Sequence, residues 1–314
     1  MRKALWLAIF LVSSFLMLSG AAGQTCTTYV VVPAIDHATH DPIENLKAEN
    51  FEARMGRTPL QVVSATQDFN NRLLVLVEVD QAEQDARVGE AVDMITRLAR
   101  LAPEGKPLAF GIYADKAVFS TGFNTKARDH VTDVNDVIER TDSLGKRVAM
   151  FDALHQGLAL FGAHQPGDTV LLVADPYDDK SRYSTSDLKR EFFSTGTRLS
   201  VMLRQPLSDV GRDYLWNPHY REKDFFETLT FTTGGAYTDF EPYRFEAPWK
   251  GYLLGIALPD SMRKPRGWHL KLRGSAVAHG KPRVYYPAML LPCGTATTEK
   301  NRAPSEARRN LAAK

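Results

Sequence analysis

Between residues 72 and 203 the chain alternates short apolar runs with stretches patterned as helices, and this alternation sets its fold class. Residues 73–79 and 169–174 are almost continuously apolar, as strands are when both faces of a sheet are covered. Residues 108–113 and 117–120 read as two short strands joined by a turn at Asp115-Lys116, and 198–203 as a further strand. Between them, apolar residues recur at helical spacing: Val88, Val92, Ile95 and Ala99; then Val131, Val134, Val137 and Ile138; then Phe151, Leu154, Leu158 and Phe161. Helices are also predicted near 186–193, capped by Gly196, and over 221–233, stopped by Gly234-Gly235. The prediction is an α/β unit: a Rossmann-type parallel sheet with helices on both faces.

On either side of this unit the texture is β. Residues 27–32 are β-branched and aromatic, and a Gly56-Arg57-Thr58-Pro59 turn precedes the alternating segment 60–64. After Pro248, the segments 251–258, 268–272 and 283–286 repeat that texture. A chain that begins and ends in strands implies one β-rich, sandwich-like module assembled from both ends. The expected division is 24–70 and 241–297 for that module, 71–240 for the α/β domain, and 298–314 for a disordered tail.

Residues 1–23 have the anatomy of an export signal: Arg2 and Lys3, an apolar run over 4–18, then Ser19-Gly20-Ala21-Ala22-Gly23. The small residues favour cleavage after Gly23, and the competing reading is an uncleaved anchor, since ~20 apolar residues span a bilayer. Secretion or a periplasmic location follows. Export leaves Cys26 and Cys293, one near each end of the mature chain, and in an oxidising compartment such a pair is expected to be bridged. With no CxxC spacing and no Cys/His cluster, zinc or thiol redox chemistry is not expected.

A formal charge of +2 argues against a nucleic-acid surface. Arg302, Arg308, Arg309 and Lys314 lie among Ala, Ser and Asn, the pattern of a solvated tail. The carboxyl ends of parallel strands are the usual place for a ligand, and here that edge carries Asp80, Glu83, Asp115, Asp175, Tyr177, Asp178 and Asp179. An acid–base hydrolase would pair two of these carboxylates. No positioned nucleophile accompanies them, His155 reads as an ordinary helix residue, and Ser194, Ser200 and Ser208 lie outside any Gly-x-Ser-x-Gly context. There is no Gly-rich phosphate loop, and no cofactor is expected. Aromatic residues concentrate from Tyr214 to Tyr252 and are expected to form a seam between helix 221–233 and the β module. The exception is the long stretch 205–220 with Trp216, a candidate binding loop.

Several segments carry a family resemblance. Ile43-Glu44-Asn45-Leu46-Lys47-Ala48-Glu49-Asn50-Phe51-Glu52 and the turn at Gly56 come first. Val148-Ala149-Met150-Phe151-Asp152-Ala153-Leu154, Leu171-Leu172-Val173-Ala174-Asp175 and Thr232-Thr233-Gly234-Gly235-Ala236-Tyr237 follow in order. Tyr252-Leu253-Leu254-Gly255-Ile256 and Val284-Tyr285-Tyr286 close the series. Together they resemble the VWFA-related family of acidobacterial type, whose core is a von Willebrand factor type A domain, over nearly all of the mature chain. The resemblance implies a metal-ion-dependent adhesion site built from Asp-x-Ser-x-Ser, a Thr and an Asp. The first motif falls either on Glu78-Val79-Asp80-Gln81-Ala82 or on Asp80-Gln81-Ala82-Glu83-Gln84, and both hydroxyl residues are missing either way. The Thr position falls on Val148, which cannot coordinate a cation; Asp175 alone stands where it should.

The expectation is therefore a non-catalytic protein-interaction module, an adhesion or scaffold part with a degenerate ion site, whose partner is a protein of the cell envelope or extracellular space. Candidate partner contacts are Asp80, Glu83, Asp175, Tyr177, Asp178 and Trp216. With the site degenerate, Asp175, Asp178 and Asp179 would hold calcium weakly at best; the alternative is a metal-dependent ligand binder that rebuilds its site from Asp80, Asp175 and Asp178.

Overall fold

The computed structural model of the chain describes residues 25–36, 41–67, 70–79, 84–175, 177–203, 222–239, 250–273 and 282–293. The first strands are β1 (Thr25–Val32), β2 (Ala34–Asp36), β3 (Phe51–Met55), β4 (Thr58–Leu60) and β5 (Val62–Thr66). The α/β unit follows: β6 (Leu73–Glu78), α1 (Gln84–Leu101), β7 (Leu108–Tyr113), β8 (Ala117–Phe119), α2 (Ala127–Glu139), α3 (Met150–Leu160) and β9 (Thr169–Ala174). It continues with α4 (Thr185–Thr195), β10 (Arg198–Leu203), α5 (Lys223–Thr233) and β11 (Tyr237–Asp239). The chain returns to short strands in β12 (Tyr252–Pro259), β13 (Arg266–Gly267), β14 (His269–Leu272), β15 (Pro282–Val284) and β16 (Met289–Leu290). Among the described residues, no helix is long and apolar enough to cross a membrane.

The α/β unit holds a six-stranded sheet in the order β11-β10-β9-β6-β7-β8. All neighbours run parallel except β7 and β8, a hairpin. Counted from β6 as the first strand, the order is the doubly wound 3-2-1-4-5-6, with the switch point between β6 and β9. This is a von Willebrand A-like architecture, its third strand reversed. Period-2 alternation splits each central strand between two cores. Leu73, Val75 and Val77 face Met94, Ile95 and Leu98 of α1 and Val134 and Val137 of α2. Leu74 and Leu76 face the other side, with Phe151 and Leu154 of α3, Leu188 and Phe192 of α4, and Phe226 and Leu229 of α5.

Local chemistry sets the helix ends. Ser184 and Asp187 form a capping box at the start of α4: Ser184 Oγ accepts the Asp187 N–H and Asp187 Oδ2 accepts the Ser184 N–H. Gly196 ends α4 at φ 68° and Gly234 ends α5 at φ 78°, both in the left-handed region that glycine tolerates. Gly235 answers to a different constraint: a Cβ there would fall 1.7 Å from the Leu199 carbonyl oxygen, so the pair of glycines is a turn pressed onto β10.

The β module forms from both ends of the chain, as expected. β12 lies between β1 and β5, and β3 between β14 and β4. Tyr252 anchors its core, donating its hydroxyl to the Ile43 carbonyl at 2.8 Å and accepting the Leu46 N–H at 3.0 Å. Its ring meets Phe51 edge-on at 5.6 Å between centroids. The Cys26–Cys293 disulfide is present, linking β1 to the far end across 267 residues.

Three expectations change. Val131 is exposed, and His130 takes the inward position of that turn of α2, because the apolar stripe begins one residue earlier than the valines suggest. Segment 60–64 is two strands, broken at Gln61. The aromatic seam is not formed by the described aromatic residues. Phe225 and Phe226 pack on Phe151 inside the α/β core, Phe231 is exposed, and Tyr252 belongs to the β core. One backbone bond joins α5 to the β module: Ala288 N–H donates to the Thr232 carbonyl at 2.8 Å.

Candidate functional site: the carboxyl edge of the sheet

The carboxyl edge is built around a carboxylate that the motif alignments leave uncertain. Glu78 ends β6, paired in register with Tyr113 and 2% exposed. Its Oε2 accepts the Asp175 N–H at 3.1 Å and the Tyr113 hydroxyl at 3.3 Å. A charged residue closing an otherwise apolar strand was the available signal. The side chain joins the ends of β6, β7 and β9 at the switch point, the position where a ligand or ion would sit in this topology.

Beyond β9, the loop 177–183 is laced onto the start of α3. That helix has Ala149 at its N-cap, and an alanine offers no side-chain acceptor to the free N–H groups of the first turn. The loop supplies the acceptors. Asp178 Oδ2 accepts the Phe151 N–H at 2.9 Å, and Ser181 Oγ accepts the Asp152 N–H at 3.0 Å. Ser181 in turn donates its hydroxyl to Asp178 Oδ2 at 2.6 Å and its N–H to Asp178 Oδ1 at 3.0 Å. Asp152 reciprocates, its Oδ1 accepting the N–H groups of Arg182 at 2.8 Å and Tyr183 at 3.0 Å.

Asp179 continues the lacing. Its Oδ1 accepts the Val148 N–H at 2.8 Å, while the Val148 carbonyl accepts the N–H groups of Asp179 at 3.1 Å and Lys180 at 3.0 Å. Arg147 closes over it, bonding the Asp179 carbonyl and approaching its carboxylate at 3.3 Å. On the other flank, Asp115 accepts the Gly145 N–H at 2.5 Å and the Lys180 ammonium at 3.0 Å. The Gly145 bond, with help from Lys180, holds the Asp115 carboxyl below its usual value. A general acid needs the opposite shift.

The residues singled out from sequence are placed as follows. Asp175 and Asp178 both lie on the loop after β9, Asp175 through its backbone and Asp178 through both carboxylate oxygens. Tyr177 is half-buried and packs against the core beneath α3. Val148 is 7% exposed and joins that same core. Asp80, Glu83 and Trp216 lie outside the described residues. Among the described residues, no group of three His, Cys, Asp or Glu side chains is placed to share an ion.

One further constellation was not foreseen. His155 Nδ1 lies 2.9 Å from Glu191 Oε2, and His155 Nε2 lies 2.7 Å from the Tyr183 hydroxyl. The order hydroxyl–imidazole–carboxylate resembles a nucleophilic triad. It stands on the outer surface between α3 and α4, with Tyr183 stacked on His155 at 3.9 Å and open to water. Its evident effect is to tie α4 and the loop to α3.

No family model and no curated protein matches the chain. Among solved structures it is similar to the conserved hypothetical protein BatB from Bacteroides thetaiotaomicron, at 11% identity and TM-score 0.41, over 55% of this chain and 91% of that one. It is also similar to proximal thread matrix protein 1 from the mussel byssus, solved with a zinc-occupied MIDAS motif, at 13% identity and TM-score 0.44, over 62% of this chain and 49% of that one. A von Willebrand factor type A structure from Catenulispora acidiphila overlaps 68% of this chain and 51% of its own length, at 12% identity and TM-score 0.37. Identity at this level bears on neither ligand nor activity, and the assignment of the fold rests on the strand order β11-β10-β9-β6-β7-β8.

Proposed function

We propose that this chain is an exported, non-catalytic protein-interaction module: an A-type domain whose ion site is degenerate and whose carboxyl edge is held together by its own hydrogen bonds. The observation that carries this reading is the use made of Asp178. Both of its oxygens are engaged by N–H and hydroxyl donors of the protein, so little lone-pair capacity remains for a cation. Val148 offers only methyl groups where an oxygen ligand would be required. The resemblance of the sequence to VWFA-related proteins of acidobacterial type supports the same reading. Export is supported by the signal-like segment 1–23 and by the Cys26–Cys293 bridge, which belongs to an oxidising compartment.

Without an ion to bridge to a partner's carboxylate, recognition falls to shape and side chains on the rim. Tyr177, half-buried and flanked by acidic residues, is the favoured anchor, and Trp216 on the stretch 205–220 is its competitor. A pull-down from envelope extract with wild type, Tyr177→Ala and Trp216→Ala tests this. Loss of captured partners with Tyr177→Ala supports the rim. Unchanged capture by both folded variants removes the rim from consideration and directs attention to the β module.

A further inference from the structure

At the opposite edge of the sheet, where the amino ends of its strands meet the β module, lies a cleft of about 460 Å³. That volume is in the range of small-molecule sites. Its walls are largely apolar: Phe192 and Phe193 from α4, Tyr29 and Val31 from β1, Met289 from β16 and Leu291 just after it. Among the described residues, the Lys and Arg lining it are Lys189 and Arg198, and no Asp or Glu lines it. Lys189 is exposed at the rim.

Arg198 is the anomaly. It opens β10, it is 2% exposed, and its Nε donates to the Gly234 carbonyl at 3.0 Å. Its Nη1 is buried without any hydrogen-bond partner, and no carboxylate forms an ion pair with it among the described residues. Asp168, whose carbonyl accepts the Arg198 N–H at 2.8 Å, has its carboxylate committed to Arg72, which it receives bidentately at 2.6 and 2.9 Å. Burial lowers the Arg198 pKa to about 10, so the guanidinium stays charged at neutral pH. A buried cation without a counter-charge is among the costliest arrangements a fold can hold.

We propose that this cleft binds a small monoanionic carboxylate with an apolar body, the carboxylate meeting Arg198 and the body lying against Phe192, Phe193, Met289 and Leu291. Of the two cations lining the cleft only Arg198 is buried, and the buried Lys106 whose charge it feels does not line it; one negative charge, a carboxylate rather than a phosphate, matches that single lining cation. The hydroxyls of Thr195, Thr197, Thr232 and Thr233 are bonded within the protein; that of Thr197, for example, lies 2.9 Å from His164 Nδ1. An apolar body removes the water that would otherwise weaken the ion pair. The assignment is independent of what happens at the carboxyl edge.

The test compares laurate with lauryl alcohol, the same chain without the charge, by thermal shift and calorimetry on delipidated wild-type protein and on Arg198→Met. Laurate is expected to bind at least about tenfold more tightly than the alcohol, the difference expected of a desolvated charge-assisted pair. Arg198→Met should erase that preference. It should also melt no lower than the wild type in the absence of ligand, because an unpaired buried charge is replaced by an apolar chain of similar length. Phe193→Ala, at a half-buried position, should weaken both ligands alike. Equal binding of laurate and lauryl alcohol by the wild type overturns the proposal, whether or not Arg198→Met folds. So does laurate affinity that Arg198→Met leaves unchanged.

Discussion

Asp178 caps a helix to which it does not belong: its Oδ2 accepts the Phe151 N–H at 2.9 Å, across 27 residues of sequence. Ala149, at the N-cap of that helix, has no side-chain acceptor of its own. The loop after β9 is thereby fixed by the start of α3, and the start of α3 by the loop. Removing the carboxylate in Asp178→Ala should cost about 1–3 kcal/mol, the range for a part-buried bond to a charged acceptor that also serves as a cap. Asp178→Asn, which keeps one acceptor oxygen, should lose less. Urea denaturation of both variants checks this, and a double-mutant cycle with Ser181→Ala should give a coupling of about 0.5 kcal/mol or more. Additive losses would mean that Asp178 and Ser181 act separately.

The disulfide closes a loop of 267 residues, so its effect should fall mainly on the unfolded chain. Cys293→Ser is expected to lower stability by about 2–5 kcal/mol, and reduction of the wild type should reproduce the loss. A melting temperature insensitive to reductant would contradict this.

Lys106 gives the fold a pH dependence on its alkaline side. The side chain is buried and donates to Asn71, and burial, with the charge of Arg198 adding to it, lowers its pKa to about 8. In the unfolded chain the lysine keeps its proton to near the ordinary 10.5. Between these values the unfolded state binds more protons, so this residue's contribution makes stability rise with pH from about 8 to 10.5 and stay level below that window. Lys106→Met should remove that rise. Denaturant midpoints measured across the window for both proteins check it, and parallel profiles would refute it.

Much of the architecture was legible because the buried strands announce themselves. Residues 108–113, 169–174 and 198–203 coincide with β7, β9 and β10, since strands covered on both faces are mostly apolar. The helix stops at Gly196 and Gly234 were legible for a similar reason, as the left-handed conformation restricts the choice of residue. The site was legible only in part. The sequence shows that Asp178 and Asp179 are acidic, but not that their oxygens face the N–H groups of Phe151 and Val148, which requires knowing that two distant loops touch. Arg198 looked like the polar first residue of a strand. Its isolation depends on Asp168 being committed to Arg72, a relationship of packing that periodicity does not encode.

The central claim is that the carboxyl edge serves as a clamp on its own backbone and no longer as an ion site, and calorimetric titration with magnesium, calcium and manganese tests it most directly. The account predicts no magnesium affinity tighter than millimolar and at most weak calcium binding at the loop carrying Asp175 and Asp178. A micromolar magnesium affinity that disappears in Asp175→Ala would contradict it, and would establish instead a metal-dependent binder built on Asp80, Asp175 and Asp178.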